Sequence, residues 1–283
     1  MPSQRDIRRR IIASRNIRQI TRAMQFVAAS KLRRAQESTL AARPYSDLLD
    51  EILADLAAVL GGDEHPLLSR RDEGKRLIVL VTSDRGLAGA LNSNTVRFAA
   101  REIVEHRGEL ELISVGRKGR DAMRRARVPI VAHFPAFRDR PHVDDVLPLA
   151  RLITDEYEAG TYNQVDIVFT RFVSTLVQRA ELRRLLPIVP TSDTHGIPGA
   201  QFIFEPGPGE VLEKLLPRYV VTRLYQTALE ATASFFSSQM VAMKNATENA
   251  DELIEDLTLS YNKARQANIT RELIEIATGA RAR

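Results

Sequence analysis

The chain has 283 residues, of which 44% are hydrophobic and 27% charged, proportions typical of a folded globular protein and not of a disordered one. It contains no cysteine, which excludes disulfide bonds, thiolate metal sites and a cysteine nucleophile. The longest aliphatic run, residues 77–81, is far shorter than the ~20 residues of a membrane-spanning helix, so we expect no direct membrane insertion.

The net charge of +5 is unevenly distributed. Residues 1–43 contain eleven basic and two acidic side chains, so this segment carries +9 and residues 44–283 carry −4. A segment this basic attracts nucleic acid, an anionic membrane or an acidic protein surface, unless it is only the solvated face of a coiled-coil helix. Because Phe26 is its only aromatic residue, an acidic protein surface is favoured over single-stranded nucleic acid.

Residues 1–60 are predicted to form a long helix that starts at a capping box, Ser3 to Asp6. Apolar residues then recur at spacings of three and four and predict one seam, which a partner helix must cover: Ile17, Ile20, Met24 and Val27. We expect Pro44 to kink or interrupt this helix and Gly61-Gly62 to end it.

Residues 75–205 predict a Rossmann-like α/β domain. Short apolar runs indicate buried strands at 76–82, 109–115, 128–131 and 165–170, and helices at about 88–107, 117–126 and 142–160 separate them. This alternation is typical of crossover units around a mostly parallel sheet. A last strand, near 176–188, follows without a helix and is expected to pair antiparallel.

Residues 209–279 predict a second long helix, with Pro217 in its first turn. About 60 residues without Pro or Gly would make a rod of about 90 Å at 1.5 Å per residue. Its proposed seam is Ala246, Ala250, Leu253, Leu257, Ala264 and Ala267. The fold class is therefore α/β plus long helices: an antiparallel coiled coil of the N- and C-terminal helices that carries the α/β domain at its side.

The usual chemical motifs are missing from the sequence. It has neither G-x-G-x-x-G nor a GKS or GKT phosphate loop, and its five histidines are scattered without metal-ligand spacing. Gly116 to Arg120 could hold a phosphate at a helix start, and a solvated turn is the alternative. We predict no catalytic residue, no cofactor site and no metal site.

Several segments together closely resemble one known family, the gamma subunits of bacterial F-type ATP synthases. The similarity runs from end to end in the right order and is carried by residues 5–11, 19–24, 27–36, 82–94, 240–250 and 257–273. The resemblance implies a non-catalytic rotor stalk, present once per complex. Its helical pair turns inside a ring of alpha and beta subunits, and its α/β domain sits beside the epsilon subunit and the c ring.

The same resemblance implies a function. Proton flow turns the c ring, the stalk couples that rotation to ATP synthesis or hydrolysis at the alpha and beta subunits, and the stalk helps to regulate ATPase activity and proton flow. The protein would be peripheral to the cytoplasmic side of a bacterial cell membrane. The implied contacts with the ring are Met24, Lys31, Arg265, Gln266, Thr270 and Glu272, unless these are ordinary helix-surface residues.

The sequence departs from the family pattern at a few positions. Phe235 and Gln239 replace a usual Glu and Arg, so a charged contact is missing or is replaced by apolar packing. The C-terminus carries two arginines instead of a small apolar tail. Ala88 stands where Cys is frequent, which excludes thiol control there.

One hypothesis about the pair itself places Arg8, Arg9 and Arg10 beside an acidic cluster of the C-terminal helix. That cluster consists of Glu248, Asp251, Glu252, Glu255 and Asp256. Two other functional classes stay open at this point. A nucleic-acid-binding coiled coil would use the basic N-terminus, and a Rossmann-type enzyme would require a ligand pocket at the strand ends.

Overall fold

The computed structural model describes residues 3–60, 65–71, 73–189 and 205–281. Two long helices, α1 (Gln4–Leu60) and α5 (Pro208–Arg281), enclose in sequence three shorter ones and five strands. The shorter helices are α2 (Leu91–Glu105), α3 (Arg117–Arg125) and α4 (Val143–Glu158). The strands are β1 (Lys75–Val81), β2 (Leu110–Val115), β3 (Ile130–Phe134), β4 (Tyr162–Phe172) and β5 (Gln178–Leu186). The predicted helix end at Gly61-Gly62 lies outside the described residues.

The five strands form one sheet in the order β3-β2-β1-β4-β5. The first four strands are parallel and β5 is antiparallel to β4, which confirms the predicted sheet and its hairpin partner. From β1 the chain builds the sheet in one direction through β2 and β3, and β4 then pairs with the other side of β1. The strand order therefore reverses between β1 and β4. In open α/β sheets this point is the usual position of a ligand crevice.

Strands β1, β2 and β4 are largely buried on both faces, as their continuous apolar runs predict, whereas the edge strands β3 and β5 are only partly buried. Alternate residues of β1 enter two different cores: Leu77 and Val79 pack with α4 and with parts of α1 and α5, whereas Ile78 and Leu80 pack with α2 and α3. Because successive side chains of a strand point to opposite faces, α4 with parts of α1 and α5 covers one face of the sheet, and α2 and α3 cover the other.

Pro44 and Pro217, the prolines inside the two long helices, differ from expectation. Helix α1 is not interrupted at Pro44, and Pro217 lies well inside α5, whose first residue is instead Pro208. Pro44 and Pro217 are both exposed. Because proline has no amide hydrogen, the carbonyl four residues earlier in each helix lacks its helical donor, and those residues, Leu40 and Glu213, are exposed as well. Water can bond those carbonyls, and buried neighbours such as Leu49 and Leu216 hold the helices in place.

The described chain has two compact units: residues 1–28 with 239–283, and residues 29–238. The first unit is a helical pair. The second contains the whole sheet together with the rest of α1 and α5. The three-part division into residues 1–60, 75–205 and 209–279 stays a prediction.

Candidate partner-binding surface on the helical pair

Two contacts fix the direction of the helices in the first unit. The Arg18 guanidinium lies 2.8 Å from the Asp251 carboxylate, and the Thr247 hydroxyl donates to the Thr21 hydroxyl at 2.8 Å. Residue numbers rise along α1 while they fall along α5, so the pair is antiparallel as predicted. Asp251 therefore pairs with Arg18, and no ion pair in the described chain joins Arg8, Arg9 or Arg10 to the acidic cluster.

The predicted seam of α1 is wrong by one residue. The residues of α1 that are buried in this unit are Ile7, Ile11, Ser14 and Ala28, and the partly buried Arg18, Thr21 and Gln25 continue the same spacing of four and three. One residue rotates an α-helix by about 100°. The predicted seam residues therefore lie on a neighbouring flank, away from α5.

On that flank, large apolar side chains face outward. Ile17, Ile20 and Val27 are more than half exposed, at 54%, 59% and 55%, while Met24 between them is partly buried. A run of this kind is one helical stripe, because residues three and four apart are neighbours on a helix surface. We call it the apolar flank. Contiguous exposed apolar surface marks an interaction site.

A second stripe of α1 is basic. Arg8, Arg15 and Arg22 are spaced by seven residues, so they share one face, and all three are exposed. None of them forms an ion pair with any residue that the structure describes, whereas Arg18, between them in sequence, is paired with Asp251. We call this the basic stripe. It leaves cationic groups available to an acidic partner.

The predicted contact residues of α5 form a separate patch. Arg265, Gln266 and Thr270 are exposed, and the Thr270 hydroxyl donates to the Gln266 carbonyl at 2.9 Å. The side chain of Glu272 lies outside the described residues. Thr247 contacts Thr21, one helical turn before Met24, and Arg265 lies roughly 27 Å farther along α5 at 1.5 Å per residue. The pair thus does not bring Met24 together with this patch.

Lys31 belongs to the second unit and is already engaged there. Its ammonium lies 2.6 Å from Asp139 and 5.4 Å from the centre of the Phe236 ring. Sequence reasoning missed Asp139, because 108 positions separate it from Lys31 and no local pattern marks it. Lys31 and Asp139 are each about one-third exposed.

A cavity of about 220 Å³ lies at the carboxyl ends of the strands, where the strand order reverses. It is the position that a Rossmann-type enzyme would use. Its polar side chains bond mainly to one another: the hydroxyls of Thr95 and Thr170 are 2.6 Å apart, and Ser83 is bonded to Asn92. Phe235 closes one wall and is buried. Apolar packing has thus replaced the missing charge at this position.

The glycine-containing turn before α3 is not free to bind a phosphate. The first backbone amides of α3 donate within the domain: Arg117 to the Asp84 carboxylate, Lys118 to the Ser83 carbonyl and Gly119 to the Thr82 hydroxyl. Gly116 has a φ of +90°, and a Cβ there would lie 2.2 Å from the Thr82 carbonyl oxygen. The glycine serves this close approach.

Among the described residues, no group of three acidic or histidine side chains could hold a metal ion. His65 and His133 have local hydrogen-bonding roles: the Nδ1 of His65 accepts from the Leu67 amide, and the Nδ1 of His133 lies 3.1 Å from the Ser114 carbonyl. Burial lowers the pKa of His65, partly opposed by nearby carboxylates. The features of the described surface that suit a binding partner are the apolar flank and the basic stripe of α1.

The chain thus combines a long antiparallel helical pair with a mostly parallel five-stranded sheet domain. A family model described as ATP synthase matches residues 3–282. The ATP synthase gamma chain of Roseiflexus castenholzii is 47% identical over 290 residues, covering 100% of this chain and 99% of that protein. The gamma chain of Pelotomaculum thermopropionicum is 43% identical, with the same coverage. The chain belongs to the ATP synthase gamma-chain family.

Solved structures agree on the fold. A chain of the Euglena gracilis mitochondrial ATP synthase superposes with a TM-score of 0.69 at 19% identity, covering 99% of this chain and 94% of that one. A chain of the Tetrahymena thermophila mitochondrial ATP synthase central stalk and c ring superposes with a TM-score of 0.62 at 22% identity, covering 80% and 99%.

Proposed function

We propose that this chain is the central rotor stalk of an F-type ATP synthase. It would couple ion-driven rotation of a c ring to ATP synthesis or hydrolysis at alpha and beta subunits, without performing the chemistry itself. The observation that carries the proposal is the helical pair, whose apolar flank and basic stripe are both exposed on one helix. Family membership over the whole length supports it.

A shaft can drive its surroundings only if its faces differ. Ile17 and Ile20 stand on one flank of α1, and Arg15 and Arg22 on another, so a surrounding loop meets apolar surface and then positive charge as the pair turns. Each orientation therefore favours a different conformation of that loop, because a partner shifts an equilibrium only by its differential contacts. This is a physical basis for driving identical catalytic sites out of step.

The ring contacts inferred from the family remain proposals for this chain. Met24 lies beside the apolar flank, and Arg265, Gln266, Thr270 and Glu272 belong to the distal part of α5, where the first three are exposed. Lys31 is the least favoured of the six, since its ammonium is bound to Asp139. Epsilon and the c ring are proposed partners of the α/β domain.

The proposed location is the cytoplasmic side of a bacterial cell membrane, reached through the complex. In the described residues, no helix has the length and apolarity required to cross a bilayer. Peripheral attachment through a c ring is consistent with that observation.

Purification from native membranes tests the proposal. We expect the chain to co-purify with alpha and beta subunits and with ATPase activity, at one copy per three of each. Isolation without those subunits, together with steeply salt-dependent DNA binding by the free chain, would contradict it and favour the nucleic-acid alternative.

A double variant examines the surface itself. Replacing Ile17 and Ile20 by Ser should leave the unfolding midpoint of the free chain nearly unchanged, since exposed positions typically change stability by about 0.5 kcal/mol or less. The same variant should weaken rotation-coupled ATP synthesis in the complex. The matched control is Ile103→Ser, a partly buried position on α2 that is remote in sequence from both stripes. That control should alter stability and leave coupling per assembled complex intact.

A further inference from the structure

Within the second unit, one carboxylate connects both long helices with the edge of the sheet domain. Asp139 lies in the loop between β3 and α4, and one of its oxygens accepts from Lys31 of α1 at 2.6 Å. Its other oxygen accepts from Arg85, in the loop between β1 and α2. Each oxygen of the carboxylate thus binds a cation from a different element.

The two cations also rest on aromatic rings of α5. The Lys31 ammonium is 5.4 Å from the centre of the Phe236 ring, and the Arg85 guanidinium carbon is 5.8 Å from the centre of the Phe235 ring. Both rings are buried, Phe236 almost completely. A cation over a ring face in a partly dry site is attracted more strongly than one in water. We call Lys31, Arg85, Asp139, Phe235 and Phe236 the Asp139 cluster.

The carboxylate is the electrostatic centre of this cluster. Burial alone raises the pKa of Asp139, yet hydrogen bonds and charge from Lys31 and Arg85 together outweigh it and lower the pKa below its ordinary value. The group is therefore ionised at neutral pH and binds both cations. The β1–α2 loop is in turn bound to α3, since Asp84 accepts from the Arg117 amide at 2.8 Å.

We propose that the Asp139 cluster is a latch that fixes the carboxyl-edge loops of the α/β domain to helices α1 and α5, with Lys31 as a positioning residue. The proposal rests on the rotor function proposed above. Torque that enters through the domain must leave through the helices, and a loose junction would dissipate rotation as local twisting. On this view the crevice that a Rossmann-type enzyme would use for a ligand has helix α5 as one of its walls.

The latch and the ring-contact prediction for Lys31 give opposite results with Asp139→Asn. A ring contact by Lys31 does not require Asp139, whereas the latch requires both. The test uses Lys31→Gln, Asp139→Asn and the double variant, and Arg33→Gln is the matched control. Arg33 is on the same helix, and within the described residues its one ion pair is with the exposed Glu37 four residues away, at 3.1 Å.

The first measurement is hydrogen exchange of the full-length chain at amides whose hydrogen bonds hold the two loops: Ser83 to Asn92, Arg117 to Asp84 and His142 to Asp145. Losing a charge-assisted bond of this kind should raise local opening about tenfold, equivalent to about 1.4 kcal/mol. Lys31→Gln and Asp139→Asn should each give this increase in exchange rate. The double variant should exchange only slightly faster than either single variant, because both substitutions remove the same Lys31–Asp139 interaction. Arg33→Gln should match the unmodified chain. Circular dichroism checks that every variant is folded.

The second measurement is the number of protons pumped per ATP hydrolysed by the whole reconstituted complex. We expect it to fall for Lys31→Gln and for Asp139→Asn, and not for Arg33→Gln. If the number of protons pumped per ATP fell for Lys31→Gln but stayed normal for Asp139→Asn, the latch would be overturned and Lys31 would be assigned to the ring. Faster exchange without any change in pumping would overturn the torque role. If the chain failed to assemble with the ring at all, the rotor function itself would fail, while exchange would still report the contact.

Discussion

Two adjacent isoleucines of α1 allow a direct test of the helical pair. Ile11 is 8% exposed and Ile12 is 51% exposed, although the two residues have the same chemistry and neighbouring positions. Substitution by Ala shortens both side chains equally and leaves helix propensity favourable. Any difference between the variants therefore reports which flank of α1 meets α5.

The expected magnitude follows from burial. Replacing a buried Ile side chain by Ala costs about 2–5 kcal/mol, and we expect the lower end here because the unit that contains Ile11 is a single pair of helices. About 2 kcal/mol corresponds to a roughly 30-fold increase in the opening equilibrium. Ile12→Ala should change stability by about 0.5 kcal/mol or less, as for other exposed positions.

Hydrogen exchange at the amides of residues 5–25 is the appropriate assay. Because residues 1–28 and 239–283 form a compact unit, we expect them to open locally, and a global unfolding midpoint would dilute the effect. Ile11→Ala should accelerate exchange in this segment and leave the sheet strands unchanged. Equal acceleration by Ile12→Ala, or a larger effect at Ile17→Ala than at Ile11→Ala, would refute the register described above and restore the one predicted from the sequence.

Two further predictions concern the second unit. Asp166 is fully buried between Arg76 at 2.6 Å and Arg184 at 2.7 Å. Asp166→Ala should therefore lower the free energy of unfolding, measured by urea titration, by about 3–5 kcal/mol, because it leaves two guanidinium groups without their carboxylate. A loss below about 1 kcal/mol would contradict this prediction. Burial raises the pKa of Glu230 despite the nearby Arg183, so the folded protein binds this proton more tightly than the unfolded chain. The contribution of Glu230 to the free energy of unfolding is therefore fully present at pH values below its ordinary pKa of 4.5, and it is lost as the pH rises through the pKa of the folded state. Glu230→Gln should flatten this pH dependence, measured by unfolding midpoints across pH.

The sheet could be predicted from the sequence because its signal is local. Runs such as 77–81 are apolar on both faces of the strand, and only a strand covered by helices on both sides needs that pattern. The interior prolines could not be read correctly in the same way. Whether a helix continues through Pro217 depends on packing by Leu216, Tyr219 and Val220 against the rest of the unit, which no local rule includes.

The candidate surface could be predicted only in part. Basic charge is visible in the composition, and the basic stripe follows from a spacing of seven. The Asp139 cluster has no such signal, since its members come from α1, two loops and α5. Contacts between residues so far apart in sequence are set by topology, and topology became known only with the fold.

The error in the α1 seam has a physical meaning. A search for apolar periodicity chooses Ile17, Ile20 and Val27, yet α1 turns that stripe outward and faces α5 with Ser14, Thr21 and Ala28. Small and hydroxyl-bearing side chains allow two helices to approach closely, while exposed isoleucines cost free energy in water. A pair that faced its strongest apolar stripe inward would be more stable alone and would leave a partner less apolar surface to bind. The arrangement found here leaves the apolar flank of α1 exposed, and an exposed apolar flank fits a shaft that functions inside a ring.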